Sequence, residues 1–371
     1  MKLPSTKIQP TLAFISLLLI APLAVLHAAD FSDRGPLTVE TLEFSELVDT
    51  SRSARGTAER SRPRIKKTPR QLATRSERKV PIKVHLPNRG GPFPLVVLSH
   101  GAGGDWDTHY AQAQHLASHG YAVLCVEHVG SNRERLTQSL RVIQNLDAMI
   151  HDADEVLARP KDVSFVLDRA DEWNRQHEKL RGKLDLQRAG VMGHSFGAFT
   201  AMVVCGMRPA LEWLTPRVEP GRGLGPDLRD PRVKCGVALS PQGVGEPFFI
   251  RESFGSLQVP LLGISGPQDR QQNGLTAENR RDAFALWPQG MHQFVWLAQA
   301  KHLDFTDSTG TSRRATPSPT RDDVQPIVRA STLLFFDLHL KGNAEPAKQL
   351  TSAALKPYLR GAVSTVEVLS K

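Results

Sequence analysis

Residues 184–207 read LDLQRAGVMGHSFGAFTAMVVCGM, and this stretch decides the fold. Ala189-Gly190-Val191-Met192 has the character of a short buried strand, and Ala198 to Met207 that of an apolar helix. Between them Gly193-His194-Ser195-Phe196-Gly197 spells G-x-S-x-G. On a sharp strand-to-helix turn this pattern lifts a strained serine above the end of a sheet: a nucleophile elbow. The glycines are required because side chains at 193 and 197 would meet the neighbouring strand and helix. An ordinary serine in a glycine-rich turn is the competing reading. The strand before the turn and the helix after it favour the elbow.

Outward from the elbow the same alternation continues. Val80 to Leu86 (VPIKVHL) alternates as a strand, and Phe93 to Ser99 (FPLVVLS) is a continuous apolar run, as in a sheet covered on both faces. It ends in His100-Gly101-Ala102-Gly103-Gly104. Asp107 to Ser118 reads as a helix and Tyr121 to Val126 as the next buried strand, which makes a parallel crossover unit. Asn145 to Val156 and Ser164 to Gln176 have charged helical patterns. After the elbow come strands at Val233 to Leu239, Val259 to Ile264 and Gln293 to Leu297, then a closing amphipathic helix from Pro326 to Leu340. The fold class is therefore α/β: a doubly wound, mostly parallel sheet with helices on both faces. Residues 208–232, rich in Pro, Gly and Arg, are expected either to cap a site on this sheet or to form an irregular surface loop.

The first 79 residues have a different composition. Lys2 and Lys7 precede an apolar run from Leu12 to Leu26, and His27-Ala28-Ala29 supplies small residues before Asp30. That is the layout of a signal peptide over 1–29, cleaved near Ala28-Ala29, and the protein is expected to be exported to the periplasm or secreted. An uncleaved anchor is the alternative. Residues 30–79 are expected to hold a strand, within Leu37 to Val48, followed by a basic flexible insertion; residues 80–371 make the main domain. Ser51 to Lys79 contains eleven Lys or Arg against two acids, which leaves 36 basic and 36 acidic residues elsewhere. The net charge of +9 thus belongs to one segment and says nothing of a charged active site. Residues 51–79 are suited to an anionic surface; nucleic acid is not expected, since no aromatics interleave with the charges. Cys125, Cys205 and Cys235 lie in apolar strands or helices with no metal-type spacing, so they read as buried free thiols, and no cofactor or metal is implied.

A serine hydroxyl needs an imidazole to take its proton and a carboxylate to orient that imidazole. On a sheet with this elbow the partners follow in the order acid, then histidine, on loops at the carboxyl ends of later strands. His292 precedes its strand, and His339 lies in the closing helix. His302 follows the strand ending at Leu297 and is the preferred base. For the acid, Asp269 sits in the turn after Ile264, with Glu246 and Asp304 as alternatives. The backbone N–H of Phe196, directly after the serine, and that of Ala102, in the glycine loop, are suited to hold an oxyanion. His100 and His194 read as residues that orient backbone loops.

Taken together, the elbow GHSFG, the loop LSHGAGG, and the segments YAVLCVEHVGSN and LAQAKHLDFTD resemble one group of proteins. This is the dienelactone-hydrolase-like and platelet-activating-factor-acetylhydrolase-like branch of the α/β-hydrolases, and the resemblance covers about residues 80–342. It implies an α/β-hydrolase fold and ester hydrolysis of a small-molecule or lipid substrate. It also implies Ser195 as nucleophile, His302 as base, and the amides of Phe196 and Ala102 as oxyanion donors. In the acetylhydrolases the acid ends the strand that corresponds to VKCGVALS, where this chain has Ser240. Asp269, the dienelactone-hydrolase-type position, must then supply the carboxylate. Other readings of the same residues are hydrolysis of thioesters, amides or polyesters, or a non-catalytic binding protein on this scaffold.

Overall fold

The computed structural model describes residues 30–54, 76–270, 276–307, 318–344 and 350–371. The expected leader, 1–29, and the middle of the basic stretch, 55–75, lie outside the described residues. Eleven strands are described: β1 (Val39–Phe44), β2 (Val48–Ala54), β3 (Ser76–Lys79), β4 (Ile82–Pro87), β5 (Phe93–Ser99), β6 (Ala122–Val126), β7 (Leu184–His194), β8 (Val233–Leu239), β9 (Leu261–Ser265), β10 (Gln293–Leu297) and β11 (Val366–Ser370). The helices are α1 (Tyr110–Ser118), α2 (Arg133–Thr137), α3 (Val142–Ile150), α4 (Ala153–Gln176), α5 (Phe196–Val204), α6 (Ala277–Asp282), α7 (Arg321–Lys341) and α8 (Ser352–Leu355).

All strands but β2 and β3 form one sheet, in the order β1-β4-β6-β5-β7-β8-β9-β10-β11. The six from β6 to β10 are parallel. Antiparallel pairs flank them, β1 with β4 and β4 with β6 on one side, β10 with β11 on the other. Because side chains alternate along a strand, one apolar run feeds two cores. Leu95 and Val97 of β5 join Val163 and Val166 of α4 and Phe199 and Met202 of α5. Val96 and Leu98 join Leu116 of α1 and Phe335 and Phe336 of α7 on the other face. This is the doubly wound, mostly parallel α/β sheet expected from the alternation. Among the described residues, no helix is long and apolar enough to cross a membrane.

Four details depart from the sequence reading. Residues 145–156 are not one helix: the Asp152 side chain accepts from the Asp154 amide and starts α4 afresh. Helix α4 then runs through Pro160 without the gap expected before Ser164. The last strand, β11, was not anticipated; its short V-E-V-L-S pattern is weak without a neighbour to pair with.

The fourth concerns the boundary at residue 80, which does not divide the molecule, since Phe31 to Lys371 form one compact unit. Strand β1 pairs with β4 inside the main sheet. The expected solvated insertion is tied down at both ends, because Arg52 and Arg78 reach α4. Arg78 pairs with Glu155 at 2.7 Å and with Asp162 at 2.6 Å, and Arg52 with Asp162 at 2.8 Å. A buried carboxylate recruits a cation from wherever the chain can supply one.

Several histidines are enclosed by this packing. Burial pushes His85 and His109 down to about 4, and His115 and His128 down to about 3. These rings are neutral when folded, whereas in the unfolded chain they take up protons below about pH 6.5. The unfolded state then binds more protons, so stability is complete above about pH 6.5 and declines as pH falls towards 4. Thermal unfolding followed by circular dichroism should show a melting temperature that drops steadily from about pH 6.5 downward. A flat profile to about pH 4.5 would contradict this account.

Candidate active site

The parallel strands all deliver their carboxyl ends to one edge, and the polar residues collect there. Strand β7 ends at His194, and Ser195 turns the chain into α5 with φ 56° and ψ −116°. A non-glycine residue with positive φ is strained, and the surroundings must hold it. They do so by close approach. A Cβ on Gly193 would lie 2.2 Å from the Gly197 carbonyl oxygen, and one on Gly197 would lie 2.0 Å from the Ser99 carbonyl oxygen. The Ser195 amide donates to the Leu239 carbonyl at 3.0 Å, and the Gln242 side-chain amide donates to the Ser195 carbonyl at 3.0 Å.

His302 opens a short helical turn after β10. Its Nε2 lies 3.0 Å from Ser195 Oγ, and its Nδ1 lies 2.7 Å from Asp269 Oδ1. The carboxylate fixes the tautomer: Nδ1–H donates to Asp269, which leaves Nε2 to accept from the serine. The imidazole is partly open to solvent, 30% exposed, whereas Asp269 is fully enclosed. Asp269 Oδ2 accepts from the Ser265 hydroxyl at 2.7 Å, and Arg280 Nε stands 3.4 Å from the same oxygen. Burial would raise the Asp269 pKa. The Arg280 charge and the hydrogen bond with His302 outweigh it and hold the group well below the ordinary carboxylate range. Arg280 also grips the surrounding backbone, donating to the carbonyls of Asp269 at 3.2 Å, Ser240 at 3.1 Å and Pro241 at 2.8 Å.

The structure thus brings Ser195, His302 and Asp269 together and places the alternatives elsewhere. Glu246 pairs with His151 at 2.8 Å and is half exposed. Asp304 is buried and accepts from the Lys301 amide at 2.8 Å and the Thr320 hydroxyl at 2.5 Å, fastening the histidine's turn to the start of α7. His292 lies at the amino end of β10, where its Nδ1 accepts from the Leu261 amide at 3.2 Å. His194 Nε2 donates to the His302 carbonyl at 2.9 Å, so the residue inside the elbow orients the loop that carries the imidazole.

The glycine loop approaches the serine closely. A Cβ on Gly101 would come 3.4 Å from Ser195 Cβ. The Gly103 amide donates to the Ser131 carbonyl at 2.9 Å and the Gly104 amide to the Gly101 carbonyl at 3.1 Å. The amides of Ala102 and Phe196 have no backbone acceptor among the described residues. His100 Nδ1–H donates to the Gly101 carbonyl at 2.6 Å, and its Nε2 accepts from the His128 amide at 3.0 Å. Burial, reinforced by the neighbouring Arg159, keeps this ring well below the ordinary histidine range, hence neutral and able to accept.

The segment 208–232 is tied to the core and to the start of α4. Leu211 and Leu214 join the core cluster that includes residues of α4 and α5, and Thr215 exchanges backbone bonds with His151 and Ala153. Arg280 was not foreseen. In ENRRDAF it stands beside Arg281, which pairs with Glu367 at a partly exposed site, and no local pattern separates the enclosed arginine from the surface one. Among the described residues no group of three or more His, Cys, Asp or Glu is placed to hold a metal ion.

Comparison with known proteins agrees with this architecture. A family model for the alpha/beta hydrolase fold matches residues 94–212, the part that carries β5, the glycine loop and the elbow. Platelet-activating factor acetylhydrolase of Cavia porcellus is 23% identical over 259 residues, which cover 62% of this chain and 52% of the relative. The chain therefore spans about half the length of the curated relative it matches. The sheet order, the elbow and these likenesses together give the chain an α/β-hydrolase fold, similar in sequence to a platelet-activating factor acetylhydrolase.

Proposed function

We propose that this protein is an exported serine hydrolase that cleaves carboxylic esters through an acyl-enzyme. The observation that carries the reading is the chain of hydrogen bonds from Ser195 through His302 to Asp269, at 3.0 and 2.7 Å. In this reading His302 Nε2 takes the Ser195 proton as Oγ attacks the ester carbonyl carbon. The resulting oxyanion is met by the amides of Phe196 and Ala102. His302 then returns the proton to the departing alkoxide, leaving an acyl group on Ser195. Water, deprotonated by the same imidazole, attacks that acyl group, and as the second oxyanion collapses the imidazolium returns the proton to Ser195 Oγ, releasing the carboxylic acid, which ionises in water, and regenerating the serine.

Asp269 stays ionised throughout, because Arg280 and the His302 hydrogen bond hold it so; its role is to orient the ring and stabilise the imidazolium. The acid's place after β9, with Ser240 at the end of β8, supports a dienelactone-hydrolase-type arrangement of the triad. The name of the curated relative supports a lipid or small-molecule ester with a short acyl group as substrate.

Three outcomes test this reading. Ser195→Ala should abolish both turnover of p-nitrophenyl acetate and labelling by a fluorophosphonate probe, with the circular dichroism spectrum unchanged; undiminished turnover would end the proposal. Asp269→Asn should lower kcat by about 10³–10⁴-fold with little change in KM, since the wrong imidazole tautomer would then face the serine. For export, N-terminal sequencing of protein recovered outside the cytoplasm should begin at about residue 30, whereas recovery of the intact leader would count against cleavage there.

A further inference from the structure

Arg159, on α4, is among the largest fully enclosed side chains of the protein and lies outside the triad. Each of its three nitrogens donates a hydrogen bond. Nε donates to Thr200 Oγ1 at 3.0 Å, Nη1 to Ser131 Oγ at 2.8 Å, and Nη2 to Ser99 Oγ at 3.1 Å and to the His100 carbonyl. The guanidinium carbon also stands 4.3 Å from the centre of the Phe196 ring. These partners belong to the two pieces of backbone that would hold an oxyanion. Ser99 and His100 lead into the loop that presents the Ala102 amide. Ser131, whose carbonyl holds the Gly103 amide at 2.9 Å, grips the far end of that loop. Phe196 and Thr200 lie on the first turns of α5, which presents the other amide.

We propose that Arg159 is the positioning residue of the oxyanion site, setting the spacing between the 100–104 loop and the start of α5. The inference rests on the hydrolase reading above. A planar fork with five donors suits the task, because it fixes several acceptors at set angles; an ammonium could meet only some of them.

The enclosed charge is balanced on the same helix, where Glu155 lies one turn before Arg159 and Asp162 one turn after. Burial lowers the Arg159 pKa to about 9, with Glu155 and Asp162 acting against that fall. Asp162 also accepts from His128 Nδ1–H at 2.8 Å, and His128 Nε2 accepts from the Ser99 hydroxyl at 2.8 Å. The same two carboxylates are held by Arg78 of the β2–β3 ribbon. The ribbon therefore braces the residue that braces the loop.

The test compares the parent enzyme with Arg159→Lys and Ser131→Ala. Active sites are titrated with a fluorophosphonate; kcat and KM for p-nitrophenyl acetate are then expressed per titrated site. Affinity for phenylboronic acid, which forms a tetrahedral adduct on a nucleophilic serine, is measured alongside. Arg159→Lys should lower per-site kcat by about 10–100-fold and weaken boronate binding by a comparable factor, with KM within about twofold. Ser131→Ala, which keeps the backbone bond to Gly103, should give a milder loss of about 3–10-fold in both. A merely structural arginine would lower the titratable fraction and the melting temperature while leaving per-site kcat and boronate affinity unchanged. That result overturns the proposal. If Arg159→Lys does not fold, Ser131→Ala decides, and parent-like values in that variant overturn the proposal equally. A parent enzyme that cannot be titrated at all would instead refute the hydrolase reading.

Discussion

Two glycines and one strained serine set the dimensions of this molecule. Backbone passes so close on either side of Ser195 that a single methyl at 193 or 197 would fall within about 2.2 Å of a carbonyl oxygen. That contact presses α5 against the ends of β5 and β7 and leaves the serine at φ 56°. The strain is tolerable because the elbow is clamped from both faces of the sheet, with the α4 and α5 core on one and the α1 and α7 core on the other. Exposure of the serine at the carboxyl edge follows from this packing, and so does the meeting of all later loops beside it.

Enclosed charge is the second organising theme. Asp269 and Arg159 are both removed from water, and each is stabilised by opposite charge and by hydrogen bonds rather than by solvent. Asp269 is answered by Arg280, by the Ser265 hydroxyl and by His302. Arg159 is answered by Glu155 and Asp162, which are in turn held by Arg78, with Arg52 also on Asp162. Breaking one member of such a group leaves a partner enclosed and unpaired, which costs more than a surface pair returns. The elbow and the loop before α1 are therefore backed by enclosed charges, some of which come from the ribbon at residues 48–54 and 76–79.

The candidate site was legible in part because its signals are local or ordered. GHSFG carries its own steric argument. Asp269 and His302 each follow an apolar strand, and the order acid then histidine narrows the choice. The position after the strand ending at Ile264 already favoured Asp269 over Glu246 and Asp304, and the structure shows the other two engaged elsewhere, Glu246 with His151 and Asp304 with Lys301 and Thr320. Arg280 and Arg159 were invisible, since each stands in a charged helix where an arginine is expected to face water. Nor could composition show that Arg52 and Arg78, at the two ends of the basic stretch, find acids on a helix about a hundred residues away.

By itself the sequence determined the alternation of apolar strands with helices, the elbow at Ser195, and the short set of residues able to act with it. These follow from periodicity and backbone sterics, which operate over a few residues. Tertiary structure alone decided how the 100–104 loop is held and where the arginines are enclosed. It also decided that β1 and β11 join the sheet, since a short edge strand is specified by its neighbour more than by its own residues. Such outcomes depend on distances across the fold, and no stretch of chain contains them.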